Sequence, residues 1–281
     1  MAPGGDVVDA ARYPLDDPGD PAWGEVVARA RAELRAQGCT VLRDVVAPGH
    51  RDRLRAEGDA VAGHAHADVA EVNVYNTDPD PALPADHPAR VVLHRRNAFV
   101  ARDHIPADHL VARLYAHPGL HRLIAACVEV PAVHPLADPY AGLTLNVVAP
   151  GDDHPWHFDT NEFAVSLLTR APESGGEFEY CPGLRTVGAE NHAGVRAVLD
   201  GDRGPVRRLV LRPGDLQLFR GRFSLHRVTP VGGTTPRHAA ILAYSERPGV
   251  LNSPTRSRQL FGRVAPEHLA AATVRGDTLQ D

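Results

Sequence analysis

The segment His154-Pro155-Trp156-His157-Phe158-Asp159-Thr160 carries the densest chemistry in this 281-residue chain. His157 and Asp159 are two positions apart, and on an extended backbone side chains two apart point to one face. An imidazole and a carboxylate so placed can meet on one cation. A second imidazole, His226, stands in Ser224-Leu225-His226-Arg227-Val228, and a sheet closed on itself would bring it beside the first two. Two imidazoles and one carboxylate on one side of an octahedron suit Fe(II) and leave the remaining positions open for small ligands. With 16 histidines and 35 acidic residues, isolated His-x-Asp pairs are common, so the pattern draws its weight from its context.

That context begins with Arg237, which opens the last apolar strand. A guanidinium is permanently charged and forked, and can clamp a carboxylate with two hydrogen bonds. Arg227 is the direct neighbour of His226 and should point to the opposite face, which leaves Arg237 as the candidate clamp. Asn146 and Thr144 share one face of the Leu143–Val148 segment, with Leu143 and Leu145 on the other. An inward polar pair would suit contact with a co-substrate or substrate, and an ordinary sheet edge would also account for it.

His157-x-Asp159, His226 and Arg237 resemble the Fe(II)/2-oxoglutarate-dependent dioxygenases. Gly175-Gly176-Glu177-Phe178, Pro213-Gly214-Asp215-Leu216 and the Arg237–Ser245 segment are similar to parts of that family's jelly-roll core, so the resemblance spans residues 140–250. Trp156–Phe163 and Glu177–Pro182 resemble free-standing enzymes that hydroxylate or chlorinate unactivated carbons of free amino acids. The resemblance implies a double-stranded β-helix (jelly-roll) core and Fe(II), 2-oxoglutarate and O2 as cofactor and co-substrates. It further implies that His157, Asp159 and His226 are the metal ligands and that Arg237, with Asn146, holds 2-oxoglutarate. Chlorinating members keep Gly or Ala where this chain has Asp159, so hydroxylation is expected. The same iron could instead serve desaturation, epimerisation or ring closure, and a non-catalytic metal- or ligand-binding sensor is the further alternative.

Substrate contacts are expected from the flanks of the motif. His154 is read either as a substrate-facing group or as a loop histidine before Pro155. Trp156 is read as packing or as a stacking surface, and Thr160 and Asn161 as pocket donors or turn formers. Glu162, with Asp152 and Asp153, hints at a basic amino acid. His238, His192 and the His64/His66 pair are read as surface residues, and Cys181 as a buried thiol. The 64–100 region is expected to supply a lid.

Several elements must position these groups. Asp20-Pro21 carries a capping residue followed by Pro at the first helical position, Val26, Val27, Ala30 and Leu34 recur at helical spacing, and Gly38 closes the run. Further helices are expected over 51–61, 107–116, 120–128 and 191–199. Strands are expected over 39–46, 143–148, 163–169, 176–180, 206–211, 215–219 and 239–245, with turn signals between them. Helices first and strands after predict an α+β fold, a sandwich or barrel flanked by N-terminal helices. Residues 1–20, rich in Gly, Pro and Asp, read as a disordered leader, and 21–281 as a single domain.

Composition sets the outer bounds. The net charge of -5 argues against a nucleic-acid or anionic-membrane partner. No apolar run is long enough to span a membrane, and no signal peptide is apparent. Three separated cysteines exclude a disulfide scaffold and point to a reducing, cytoplasmic setting. Every basic residue is arginine, which excludes lysine-based covalent catalysis. The expected partner is a small molecule; the sequence does not fix the oligomeric state.

Overall fold

The computed structural model describes residues 7–68, 70–270 and 279–280. Its helices are α1 Pro21–Gln37, α2 Arg51–Val61, α3 Leu110–Tyr115, α4 Pro118–Val128, α5 His192–Leu199, α6 Pro254–Phe261 and α7 Pro266–Ala270. The strands in the first half are β1 Cys39–Leu42, β2 Ala70–Val72, β3 Leu93–Arg95 and β4 Ala98–Val100. They continue with β5 His134–Pro135, β6 Leu143–Val148, β7 His154–His157, β8 Ala164–Arg170, β9 Ser174–Gly175 and β10 Phe178–Cys181. The last are β11 Arg207–Leu209, β12 Leu216–Phe219, β13 Leu225–Val228, β14 Val231–Gly232, β15 Arg237–Leu242 and β16 Tyr244–Ser245.

Two antiparallel sheets form the core, a six-stranded one in the order β1-β12-β8-β15-β6-β4 and a four-stranded one in the order β11-β10-β13-β7. This is the expected jelly-roll flanked by helices. The outer face of the larger sheet presents Leu42, Leu143, Leu145, Val165, Leu167, Leu216 and Leu218, all buried against Val27, Ala30, Leu54, Leu114 and Leu123 of α1–α4. Each such side chain contributes about 1.5–3 kcal/mol on burial, so the helices brace that sheet from outside. Alternation then turns Thr144, Asn146, Ser166 and Gln217 inward.

Local chemistry sets the helix ends. Asp20 accepts a hydrogen bond from the Ala22 N–H at 2.8 Å, Pro21 occupies the first turn, and Gly38 at φ 67 closes α1. In α4, Pro118 and Gly119 form the first turn rather than a break before it, because His117 Nδ1 accepts from the Gly119 N–H at 3.0 Å. The sequence reading missed α6, although Ser253-Pro254 repeats the Asp20-Pro21 signature and the Ser253 hydroxyl accepts from the Arg256 N–H at 3.1 Å. It also missed β2, β3 and β4, which are three residues each and carry no alternation.

The described part of the expected leader is packed. Val7, Val8, Tyr13 and Leu15 are buried in the core, and the Tyr13 hydroxyl donates to the Arg43 carbonyl at 2.6 Å. Averaging over a Gly-, Pro- and Asp-rich stretch hid four apolar anchors. Residues 1–6 lie outside the described residues. Among the described residues, no helix is long and apolar enough to cross a membrane.

Candidate active site

The smaller sheet carries the two imidazoles. In the β13–β7 pair His226 lies directly opposite His157, while Val228 pairs with His154. Two residues on β13 therefore span three on β7, a bulge that re-aims side chains. His154 and His157, three apart, accordingly face the same cavity and stack at 3.9 Å between ring centroids. Trp156 turns to the other side, buried beneath the Arg227 guanidinium at 4.8 Å, and Arg227 pairs there with Glu179.

Each ring is fixed by its own strand. His157 Nδ1 donates to the Pro155 carbonyl at 2.8 Å, and His226 Nδ1 donates to the Ser224 carbonyl at 2.9 Å. This arrangement leaves both Nε2 lone pairs aimed inward. Asp159, just beyond the end of β7, completes the group. Its Oδ1 is 3.7 Å from His157 Nε2 and 3.5 Å from His226 Nε2. One ligand atom from each of the three residues lies within 4.8 Å of the others.

The segment bearing Asp159 is tied down on every side. The Phe158 N–H donates to the Val74 carbonyl at 2.9 Å, and Asn76 Nδ2 donates to the Phe158 carbonyl at 2.8 Å. The Arg185 guanidinium stacks on the Phe158 ring at 4.0 Å. The Asp159 N–H donates to the Gly221 carbonyl at 3.2 Å, and a Cβ at position 221 would collide with the Asp159 carboxylate. The 64–100 region thus acts here mainly through Val74 and Asn76, which the sequence reading did not single out; of that region Phe99 reaches the cavity.

Electrostatics favour metal-ready protonation states. Burial, followed by the neighbouring imidazoles His154 and His226, holds His157 well below its ordinary 6.5. Burial likewise lowers His154, with His226 and the guanidiniums of Arg95, Arg256 and Arg237 adding to the effect. Burial pushes Asp159 up, but His226 and His157 outweigh it and keep the carboxyl below its ordinary value. Neutral imidazoles and an ionised carboxylate are the forms that bind a divalent cation.

The larger sheet supplies the opposite wall of a cavity of about 170 Å³. Gln217, Ser166, Ile241 and Thr144 form one cross-strand row, and the Ser166 hydroxyl donates to Gln217 Oε1 at 3.1 Å. Arg237, 5% exposed, points into the cavity, and its stem passes Gly176, where a Cβ would come within 3.1 Å of Arg237 Cδ. Burial alone pulls its guanidinium down to about 10, and no carboxylate pairs with it among the described residues. Asn146 is buried with Oδ1 lacking a hydrogen-bond partner. A dicarboxylate co-substrate fits this wall, as a divalent cation fits the donor set opposite.

Of the expected substrate residues, His154, Thr160 and Asn161 line the cavity, whereas Trp156 and Glu162 do not. Glu162 is exposed, and Asp152 and Asp153 lie outside the lining. His238, expected at the surface, is 1% exposed and lies 3.4 Å from Asp59. Cys181 is a buried free thiol, as expected. Arg256 and Phe261 of α6 also reach the cavity.

Solved structures share this architecture. A 2OG-Fe(II) oxygenase family oxidoreductase from Burkholderia pseudomallei aligns over 80% of this chain and 92% of its own, with TM-score 0.51 and 14% identity. The epimerase SnoN from nogalamycin biosynthesis aligns over 79% and 83%, with TM-score 0.54 and 16% identity. HygX from Streptomyces hygroscopicus, solved with nickel, 2-oxoglutarate and hygromycin B, aligns over 77% and 86%, with TM-score 0.50 and 14% identity. No curated protein matches the chain. The fold is the one these 2OG-Fe(II) oxygenases share, and it carries a His-Asp-His cluster able to hold a metal ion. Residues 23–258 match the model of one family, and the chain belongs to it: the Halogenase D family.

Proposed function

We propose that this chain hydroxylates an unactivated carbon of a small polar molecule, a free amino acid or a close derivative. His157, Asp159 and His226 hold Fe(II), Arg237 clamps the distal carboxylate of 2-oxoglutarate, and Asn146 contributes to that site. The observation that carries the reading is the convergence of one ligand atom from each of His157, Asp159 and His226 within 4.8 Å, in a cavity shared with a buried guanidinium that pairs with no carboxylate among the described residues. When bound, iron with 2-oxoglutarate and O2 supplies an oxidant able to take hydrogen from carbon. Overall, 2-oxoglutarate, O2 and substrate give succinate, CO2 and alcohol.

The protein's own residues orient and exclude. The carbonyls of Pro155 and Ser224 hold the two rings, Phe163, Phe178 and Phe219 keep the floor dry, and His154 and Thr160 face the substrate. Asp159 decides the outcome. The family is named for halogenation, yet here a carboxylate stands where the chlorinating enzymes resembled by this sequence keep Gly or Ala. Gly221 leaves room behind it for that carboxylate. Oxygen insertion, rather than halide transfer, is therefore the proposed outcome.

Purified protein given Fe(II), ascorbate and 2-oxoglutarate should release succinate slowly without substrate and faster with it, and the product should gain the mass of one oxygen. Wild-type protein that releases no succinate would defeat the reading. A second reading keeps the iron and changes the outcome to epimerisation, desaturation or ring closure. What favours it is that an epimerase shares the fold, and a product of unchanged or lower mass would select it. We further propose that residues 21–281 act as a single domain, in the cytoplasm.

A further inference from the structure

Asp159 rests on two pieces of backbone, and one buried side chain touches both. Arg185, in the loop between β10 and α5, is 1% exposed. Its Cζ lies 4.0 Å from the ring centroid of Phe158, the residue directly before Asp159, and 5.7 Å from that of Tyr75. Its Nε donates to the Arg222 carbonyl at 2.6 Å, and its backbone N–H donates to the Phe223 carbonyl at 3.3 Å. Residues 221–223 are the second support of Asp159. The Gly221 carbonyl accepts the Asp159 N–H, the missing Cβ of Gly221 makes room for the carboxylate, and Arg222 Nη1 donates to the Thr160 carbonyl at 3.2 Å. Arg185 is itself clasped. Its Nη1 donates to Glu190 Oε2 at 3.1 Å and to the Gln280 carbonyl at 2.9 Å, while Glu190 Oε1 accepts from the Gln280 N–H. The two imidazoles are held differently, each by the carbonyl two residues before it.

We propose that Arg185 is a positioning residue for the Asp159 carboxylate, acting through Phe158 and residues 221–223, with Glu190 as the counter-ion that holds it in place. The inference rests on the metal-site reading above. A flat guanidinium can lie on a ring with its face and donate to carbonyls with its edge, so one group joins the two supports. A lysine ammonium has no such face and cannot do both. A buried charge needs a partner. Glu190 provides it, and its second oxygen brings Gln280 into the clasp. A carboxylate already held in place loses less freedom when the cation arrives, which is how groups behind a ligand come to govern metal affinity.

The test is Co(II) binding by the full-length protein under anaerobic conditions, followed by d–d absorption and calibrated with a competing chelator. In Arg185→Lys the affinity for Co(II) should fall by about tenfold or more. At saturating Co(II) the same variant should bind 2-oxoglutarate as the wild type does, because Arg237 stands on the opposite wall; a general loosening of the fold would weaken both. Glu190→Ala should also weaken Co(II) binding, and Glu190→Gln, whose amide oxygen can still accept from Arg185, should recover part of the loss. Unchanged Co(II) affinity in Arg185→Lys, or equal losses for Co(II) and 2-oxoglutarate, would overturn the assignment. Should Arg185→Lys fail to fold, the Glu190 pair decides: unchanged Co(II) affinity in Glu190→Ala, or no recovery in Glu190→Gln, would overturn it. Wild-type protein that binds no Co(II) would instead overturn the metal-site reading, so the two failures are distinguishable.

Discussion

At the scale of single residues, His226 and His157 are cross-strand partners, so loss of either imidazole removes one of three ligands while the strand pair stays intact. His226→Ala is expected to lower succinate release by at least about a hundredfold with little change in thermal stability, read by coupled assay and calorimetry. Arg237 makes a different prediction. Arg237→Gln should raise the KM for 2-oxoglutarate by roughly tenfold to a hundredfold, through loss of a buried charge-assisted pair, with a much smaller effect on Fe(II) affinity. Equal losses in both would place Arg237 in the metal site instead. Gly221→Ala tests the space behind Asp159, since the added Cβ would displace the carboxylate. Fe(II) affinity should fall by about tenfold or more in a protein that still folds.

His238 gives the pH dependence. Burial holds its imidazole down to about 4, against the raising effect of Asp59. The folded protein keeps His238 neutral where the unfolded chain, with its ordinary 6.5, takes up a proton. The unfolded state therefore binds more protons as pH falls from 6.5 toward 4, and stability declines across that window. At pH 5 the loss from this one group is about 2 kcal/mol. Thermal melts at pH 7 and pH 5 should show a smaller pH-dependent drop for His238→Gln than for wild type.

At the scale of elements, the features legible in sequence were those with a local signature. The Asp20-Pro21 cap, the Gly38 stop and the 51–61 helix stand where expected, and the inward pair Thr144 and Asn146 follows from strand alternation. The meeting of His157, Asp159 and His226, and the place of Arg237 on the same cavity, were legible because their residue types are uncommon in that combination. Features created by pairing were not legible. The β7–β13 bulge puts His154 beside His157, and nothing in the spacing of three announces it. Strands of three residues carry too little pattern to detect, so the Val74 and Asn76 contacts that hold the Asp159 segment were hidden. Trp156 and Glu162 lie beside the motif in sequence yet outside the cavity, because alternation and the following bend turn them away. The signal for α6 was present at Ser253-Pro254, and following it would have found Arg256.

At the scale of the whole molecule, helices and leader brace one face of a sheet whose other face is the site. Residues 7–20 therefore bear on stability despite their distance from the chemistry. Deleting residues 1–20 removes the buried side chains of Val7, Val8, Tyr13 and Leu15, at a cost of at least about 3 kcal/mol. The melting temperature should fall by several degrees or more, and an unchanged melt would show that the segment is dispensable to the core. The position of the helices also explains why composition said so little about chemistry. The net charge of -5 belongs to the chain as a whole, while the described lining of the cavity holds two guanidiniums and one carboxylate.

The central claim is that His157, Asp159 and His226 hold one ferrous ion beside a 2-oxoglutarate site. Anaerobic titration of Fe(II) into protein with 2-oxoglutarate tests it most directly, through the visible charge-transfer band that a chelated 2-oxo acid gives on ferrous iron. A band that saturates at one iron per chain in the wild type and is absent from His226→Ala is the predicted result. No band in the wild type, or an undiminished band in His226→Ala, would contradict the claim.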